Sequence, residues 1–290
     1  MIGTNIAMKM IVVYNSKSGS ALGKNELRHK FRAADIAIEE FVEIQKGFEK
    51  KLAPHIAKGK SIAVIGGDGT ISAVAGCVVG TDATLVPLPG GTLNHFTKDL
   101  AVPQDIDAAL KALVTGRTRR IDIVSVQSVY FINNSSIGLY PASLHERKEI
   151  EPKGVGKWAA ASVASLRALI SFKTYRVAID DRVLTTPFVF IGNNRYKLDM
   201  MGAADRARLD EGVLTVYVAK TRSRLTLLKI ALAALVGNVD DLPEFDEFYP
   251  QSLTIEATNI RLSVSHDGEV SRITTPLEYK MRRQALKVLA

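Results

Sequence analysis

Four short turns carry the residue types that could do chemistry. The first, Gly66-Gly67-Asp68-Gly69-Thr70, follows an apolar run and leads straight into a small-residue helical pattern. Glycines let a backbone turn tightly and approach a ligand, and a helix start offers unpaired N–H groups at the positive end of its dipole. Together these make a phosphate cradle. An acid in its middle would repel a phosphate, so Asp68 suits Mg2+, a ribose or a reacting hydroxyl. The competing reading is a helix-capping aspartate in a plain strand-to-helix turn. The second turn, Pro89-Gly90-Gly91-Thr92-Leu93-Asn94-His95-Phe96, puts another glycine pair, a hydroxyl and an amide after another strand. Open α/β sheets bind ligands at that same carboxyl edge. A third turn, Asn15-Ser16-Lys17-Ser18-Gly19-Ser20, follows the first strand and reads equally well as a Ser-rich loop.

The fourth signal is late, at His266-Asp267-Gly268-Glu269. Asp-Gly is a common hairpin turn, so architecture alone could account for it. In its functional reading, two carboxylates one residue apart on an extended segment project the same way and could share a metal or a proton. Arg208-Leu209-Asp210-Glu211-Gly212 is a second acidic turn with the same ambiguity. Established nucleotide signatures do not fit these turns. Gly19 to Gly23-Lys24-Asn25 has too short a spacing and the wrong last residue for a Walker A loop. Gly67-Asp68-Gly69 lacks the third glycine of the dinucleotide fingerprint. Protein-kinase signatures and the G-x-S-x-G elbow are absent as well.

The elements that would position these turns alternate over the first part of the chain. Strand patterns cover Met10–Tyr14, Ile36–Val42, Ser61–Ile65, Thr84–Leu88 and Ile121–Val126. Helical patterns run from Ile44 through Ile56, over Ile71–Val79 and near Asp105–Val114. Such alternation implies α/β architecture, a mostly parallel sheet with helices on both faces. After Ser125 the texture changes to short β-rich runs at Val129–Asn133, Tyr175–Ile179, Phe188–Ile191, Val213–Val218, Leu253–Ala257 and Ile260–Val264. Those runs point to a second, antiparallel domain, a β-sandwich or a meander, interrupted by helical segments near Gly156–Phe172 and Ser223–Val236.

Composition narrows the partners. At 47% hydrophobic and 23% charged, the 290 residues suit a folded globular protein and exclude disordered, collagen and coiled-coil classes. The single Cys77 and five histidines provide no zinc-site spacing. Against 30 acidic residues stand 38 basic ones, a net charge of +8 that favours an anionic partner without choosing among phosphorylated molecules, nucleic acid and an acidic membrane surface. Met1–Met10 lacks a signal-peptide pattern, and the apolar stretches Trp158–Phe172 and Leu225–Val239 fall short of a membrane span. The expected location is the cytoplasm.

Taken in order, the turns resemble those of the diacylglycerol kinase catalytic domain family of lipid kinases, which includes sphingosine and ceramide kinases and many bacterial members. The matching pieces are the Asn15–Gly19 turn, Gly66–Thr70, Pro89–Phe96, Asn134-Ser135-Ser136-Ile137-Gly138-Leu139, Glu211-Gly212 and Asp267-Gly268-Glu269. NAD kinases look similar at the first glycine turn; the second turn and the late Asp-Gly-Glu point to lipid kinases. Three places depart from many members: Asn15-Ser16 replaces Asn-Pro, Asn94-His95-Phe96 replaces Asn-Asp-Phe, and Glu211-Gly212 replaces Asp-Gly.

The resemblance implies an α/β nucleotide-binding domain over residues 1–126, to which a C-terminal segment of about 275–290 returns, and a β-sandwich lipid-substrate domain over 127–274. It implies transfer of the ATP γ-phosphate to a lipid hydroxyl of a diacylglycerol, ceramide or sphingoid-type acceptor in a cleft between the domains. Asn15, Ser18, Gly19, Gly66, Gly67, Gly69, Thr70, Gly91, Thr92 and Asn94 would hold the nucleotide, Asp68 or Asp267 would be the base, and Asp267 with Glu269 would meet Mg2+. The partners it implies are the lipid substrate and an anionic membrane surface bound peripherally. Nucleic acid is not expected, and a homodimer is left open. Ser223–Val236, with Arg222, Arg224 and Lys229 among its leucines, could lie on such a surface or be buried between domains. The alternatives are an NAD kinase-like kinase of a soluble metabolite and a non-catalytic nucleotide-binding regulatory module. On this reading Asp68→Asn and Asp267→Asn each lose roughly 10² to 10⁴ in turnover, measured as ATP-dependent phosphate transfer, while staying folded.

Overall fold

The structure is a computed structural model that describes residues 8–16, 22–138, 174–179, 181–195, 206, 208–219, 245–257 and 259–290. Two compact units divide it: Met1–Ile123 with Arg283–Ala290, and Val124–Arg282. The expected helices at Gly156–Phe172 and Ser223–Val236, with Trp158 and all of Leu225–Val239, lie outside the described residues.

The first unit runs β1 (Lys9–Tyr14), α1 (Lys24–Ala33), β2 (Ala37–Glu43), α2 (Phe48–Ile56), β3 (Ser61–Gly66), α3 (Asp68–Val78), β4 (Thr84–Pro89), α4 (His95–Asp99), α5 (Ile106–Ala112) and the start of β5 (Thr118–Val126). Its strands lie side by side in the order β2-β1-β3-β4, every pair parallel. Parallel strands joined through helices are covered on both faces, so they are apolar throughout. Ile62–Gly66 is accordingly buried without a break, and so is the whole of β4. The final strand adds to this sheet by pairing Val288 with Leu85 in parallel. That contact lies two residues before Pro87, which has no N–H to give a neighbour on that side. Gly80 N–H on Ala285 O (2.8 Å) and Gln284 N–H on Asp122 Oδ1 (2.7 Å) fasten the same returning segment.

α1 was not anticipated from the sequence. It buries only Leu27 and Phe31, one turn apart, and its other positions are mostly charged, so the apolar period is too sparse to register. α5 starts where the pattern placed a helix, with Asp105 capping it by accepting the Ala108 N–H at 2.9 Å.

The second unit holds β6 (Val129–Phe131), β7 (Asn134–Ile137), β8 (Tyr175–Ile179), β9 (Arg182–Thr186), β10 (Val189–Asn193), β11 (Leu214–Ala219), β12 (Phe245–Phe248), β13 (Ser252–Glu256), β14 (Arg261–His266), β15 (Glu269–Thr274) and the first half of β16 (Leu277–Leu289). One antiparallel sheet has the order β12-β11-β10-β7-β14-β15. In the other, β16, β13, β8 and β9 pair antiparallel in that order. Alternate residues from both sheets, among them Ile137, Ile191, Val216 and Val264 facing Val177, Ile255 and Tyr279, form a single core. Of the sandwich and the meander that the short β-rich runs allowed, the structure is the sandwich.

The returning segment begins at Arg283, not near residue 275. Leu277–Lys280 is taken up by β13 through pairings from Ile255 with Leu277 to Ser252 with Lys280, so it belongs to the sandwich. The first crossing likewise falls after Ile123, three residues ahead of the expected boundary at 126, because Val124–Val126 forms a hairpin with Val129–Phe131. Among the described residues, no helix is long and apolar enough to cross a membrane.

Candidate active site

In the first unit the two glycine turns meet. β3 ends at Gly66, Gly67 is the extended N-cap of α3, and no side chain caps it. The first-turn amides of a helix have no acceptor within it, so this end is open to an anion. The second turn follows β4 and ends at Asn94, whose left-handed backbone (φ 52°) starts α4. A Cβ on Gly91 would stand 2.4 Å from the Gly67 Cα, and one on Gly90 would stand 2.7 Å from the Gly66 nitrogen. Both are collisions with backbone. These glycines are therefore required first by the approach of one turn to the other, and only secondarily by any ligand.

Side chains lock that approach. Asp68 Oδ2 accepts the His95 N–H at 3.1 Å and Oδ1 accepts the Phe96 N–H at 2.9 Å. Asp68 is thus the first residue of α3 and at the same time the anchor for the start of α4, a role neither sequence reading contained. A carboxylate has about four acceptor positions, so the two bonds leave capacity for another partner. Asn94 Oδ1 accepts the Gly91 N–H at 2.9 Å, and Thr97 Oγ1 donates to the Asn94 carbonyl at 3.1 Å. Asn15, at the end of β1, donates to Thr70 Oγ1 at 3.4 Å, and Ser16 donates to Glu43. Asn15, Gly66, Gly67, Asp68, Gly69, Thr70, Gly91, Thr92 and Asn94 thus collect on one rim of the sheet. Ser18 and Gly19 lie outside the described residues.

The late acidic turn belongs to the second unit and differs from expectation. Asp267 (φ 45°) and Gly268 (φ 83°) are both left-handed, the pattern of a tight hairpin turn joining β14 to β15. The two carboxylates therefore do not share one face of an extended segment. Glu269 is exposed, whereas Asp267 is only 9% exposed. Asp267 accepts three backbone N–H groups, from Ile132 at 2.7 Å, Asn133 at 2.8 Å and Asn134 at 3.1 Å. Its own N–H donates to the Asn134 carbonyl at 3.0 Å.

Several residues with no motif of their own complete this cluster. Asn193 Nδ2 donates to the Ile132 carbonyl at 2.9 Å, and the Arg206 guanidinium donates to that carbonyl and to Asn133 Oδ1, both at 2.7 Å. Asn194 Oδ1 accepts the Glu211 and Gly212 N–H groups at 3.0 Å each, and Glu211 accepts the Arg195 N–H at 2.9 Å. The one sequence signal for them is the recurrence of paired asparagines, Asn133-Asn134 and Asn193-Asn194, in otherwise β-rich stretches. Burial pushes the His266 imidazole below its ordinary pKa against the opposing pull of Glu269, and its Nε2 lies 2.8 Å from Ser271 Oγ. Burial also raises the Tyr279 phenol, which is paired with Ser135 at 3.0 Å.

The site residues suit a nucleotide phosphate at the uncapped start of α3. For a divalent cation they offer less: among the described residues no three His, Cys, Asp or Glu side chains converge on one point. A Mg2+ ion carried on phosphates needs only one or two protein carboxylates, so this does not bar it. An uncapped glycine-rich helix start on the carboxyl rim of an open parallel sheet defines a class of α/β proteins that take an anionic ligand there.

Comparison with known proteins narrows that class. Residues 9–126 match the model of the diacylglycerol kinase catalytic domain, and residues 150–290 match that of the YegS C-terminal NAD kinase beta sandwich-like domain. Residues 9–126 are thus a diacylglycerol kinase catalytic domain, followed by a YegS-type C-terminal domain, and the chain is a kinase by class. A Streptococcus pneumoniae serotype 4 protein named "Putative lipid kinase" is 27% identical over 297 residues, covering 97% of this chain and 98% of that protein. Another of that name, from Staphylococcus aureus strain MSSA476, is 25% identical over 78% of this chain and 75% of its own. The crystal structure of a "putative diacylglycerol kinase" from Bacillus anthracis strain Sterne shares the fold, with a TM-score of 0.69 and 22% identity over 97% of this chain and 96% of that one.

Two outcomes follow from the geometry. Gly91→Ala forces a Cβ to 2.4 Å from the Gly67 Cα, so it destabilises the protein by about 1–3 kcal/mol and weakens ATP binding, read by denaturant unfolding and calorimetry. Asp267→Asn replaces an acceptor of three buried N–H groups with an amide that can serve only part of them, and costs about 1–3 kcal/mol in urea unfolding. Its turnover loss must therefore be read against a stability loss that the sequence did not foretell.

Proposed function

We propose that the protein is an ATP-dependent lipid kinase that moves the γ-phosphate of ATP to a lipid hydroxyl. The observation that carries this reading is the uncapped start of α3, pressed against the second glycine turn and tied to it by Asp68. Phosphoryl transfer needs positioning and charge cancellation more than covalent chemistry, and backbone amides fixed in advance supply both. In this role the amides of Gly67, Gly69 and Thr70, with Asn15, Gly91 and Thr92, hold the phosphates. The acceptor oxygen then bonds to the γ-phosphorus, the bond from that phosphorus to the β–γ bridging oxygen breaks, and ADP leaves. The hydroxyl proton passes to a carboxylate.

Asp68 suits that last step better than Asp267. It is half-buried at the phosphate turn with two bonds to main-chain donors, whereas Asp267 is nearly enclosed and already takes three. When bound, Mg2+ would neutralise the β- and γ-phosphates. Of the two carboxylates in the late turn, Glu269 is the exposed one available to a cation, since Asp267 is engaged.

A lipid acceptor is supported by the names of the relatives and by the net charge of +8, which favours an anionic bilayer surface reached peripherally from the cytoplasm. The description of the second family model, with its NAD kinase-like sandwich, favours NAD as the rival acceptor. The test is γ-labelled ATP with Mg2+, offered in parallel to vesicles of diacylglycerol, ceramide or sphingoid base in anionic phospholipid, and to NAD. Labelled lipid is the expected product. Label in NAD alone overturns the lipid reading, and ATP binding without transfer to any acceptor overturns the kinase.

A further inference from the structure

A buried cation and a buried anion in the second unit grip the same short piece of backbone from opposite sides. The link from β6 into β7, Ile132–Asn134, turns its three N–H groups onto Asp267, at 2.7, 2.8 and 3.1 Å. Its oxygens go to Arg206: Nη1 donates to the Ile132 carbonyl at 2.7 Å and Nη2 to Asn133 Oδ1 at 2.7 Å. Nη1 also reaches the Asn193 carbonyl at 3.4 Å. The peptide group between Ile132 and Asn133 thus has its carbonyl on the guanidinium and its N–H on the carboxylate. Its dipole points from one charge to the other and stabilises both.

Both ions are deep, Arg206 at 4% exposure and Asp267 at 9%. A buried charge is costly unless it is paired and hydrogen-bonded, and losing one member of such a set strands the other. A guanidinium is the side chain suited to this place, because its planar fork reaches two acceptors at once. Of the three donors to Asp267, the Asn133 N–H shares a peptide with the carbonyl that Arg206 holds, and the Ile132 and Asn134 N–H groups flank it. The position of the Asp267-Gly268-Glu269 turn is therefore set partly by a residue that comes some sixty positions earlier and touches none of the three in these bonds.

We propose that Arg206 is a positioning residue for the Asp267-Gly268-Glu269 turn, acting through the Ile132–Asn133 peptide rather than on any substrate. This rests on the kinase reading only insofar as the turn serves the reaction; the coupling itself does not need that reading.

The experiment combines a stability cycle with kinetics on the full chain. Urea unfolding is measured for Arg206→Met, Asp267→Asn and the double variant, with Arg206→Lys as the conservative change. Coupling through one peptide predicts that the double variant loses no more than the worse single one, because removing either ion already breaks the set. Steady-state kinetics with labelled ATP and lipid vesicles should show Arg206→Met lowering kcat on the order of 10²-fold while KM for ATP holds, since a small displacement of the turn spoils alignment but not the phosphate cradle. Arg206→Lys, which keeps the charge but loses the fork, should recover part of that loss. Additive stability losses, or an unchanged kcat in Arg206→Met, overturn the proposal. If Arg206→Met does not fold, the cycle is run with Arg206→Lys and read in the same way. Should the wild type phosphorylate no lipid, the functional reading fails on its own, and the urea cycle alone decides whether Arg206 and Asp267 are coupled.

Discussion

Two main-chain turns can lie against each other at van der Waals distance only if neither carries a side chain at the point of contact. In the first unit that constraint falls on Gly90 and Gly91 after β4, where a Cβ would stand 2.7 Å from the Gly66 nitrogen and 2.4 Å from the Gly67 Cα. Neighbouring parallel strands deliver the two turns to the same edge, and the missing Cβ atoms let them close. Once closed, they are held by a carboxylate from one turn on the first amides of the helix that follows the other. Asp68 can satisfy the start of α4 only because α3 begins beside it, and α3 keeps its own first amides open because Gly67 has no side chain to cap them. Architecture and anion binding here come from the same few atoms.

The sandwich solves a different problem. Its polar cluster sits among apolar strands, where an unpaired donor or acceptor would cost about 1–3 kcal/mol. The solution is to send main-chain groups to ions and amides in sets: Asp267 accepts three N–H groups, Asn194 accepts two, and Arg206 donates to the Ile132 carbonyl. Such networks favour one arrangement over near alternatives because half-satisfied versions are worse than none. The hairpin turn at Asp267-Gly268 is consequently both an ordinary reversal of chain and the anchor of a link more than a hundred residues earlier.

Legibility varied with how local the governing physics was. β1, β3 and β4 showed themselves as short apolar runs because a covered parallel strand has no polar face. α1 did not, since two buried residues among charges leave almost no period. In the sandwich, β7, β9, β12 and β15 escaped notice because they are short and carry Ser, Thr, Arg, Asp or Glu at many positions, while β16 is a long strand divided between the units. The glycine turns and the late Asp-Gly-Glu stood out as motifs. What each acid touches did not, because the partners of Asp68 lie 27 and 28 residues away and those of Asp267 more than 130.

By itself, the amino-acid sequence determined the α/β-then-β order of the chain, the glycine-bearing turns at strand ends and the family to which they belong, because these depend on composition and spacing over a few residues. Tertiary structure alone decided that Gly91 must be bare to meet Gly67, that Asp68 anchors α4, that Asp267 and Glu269 part company at a left-handed turn, and that Arg206 shares a peptide with Asp267. Those facts arise from groups distant in sequence competing for the same donors and the same space, a competition that begins only when the chain has closed on itself.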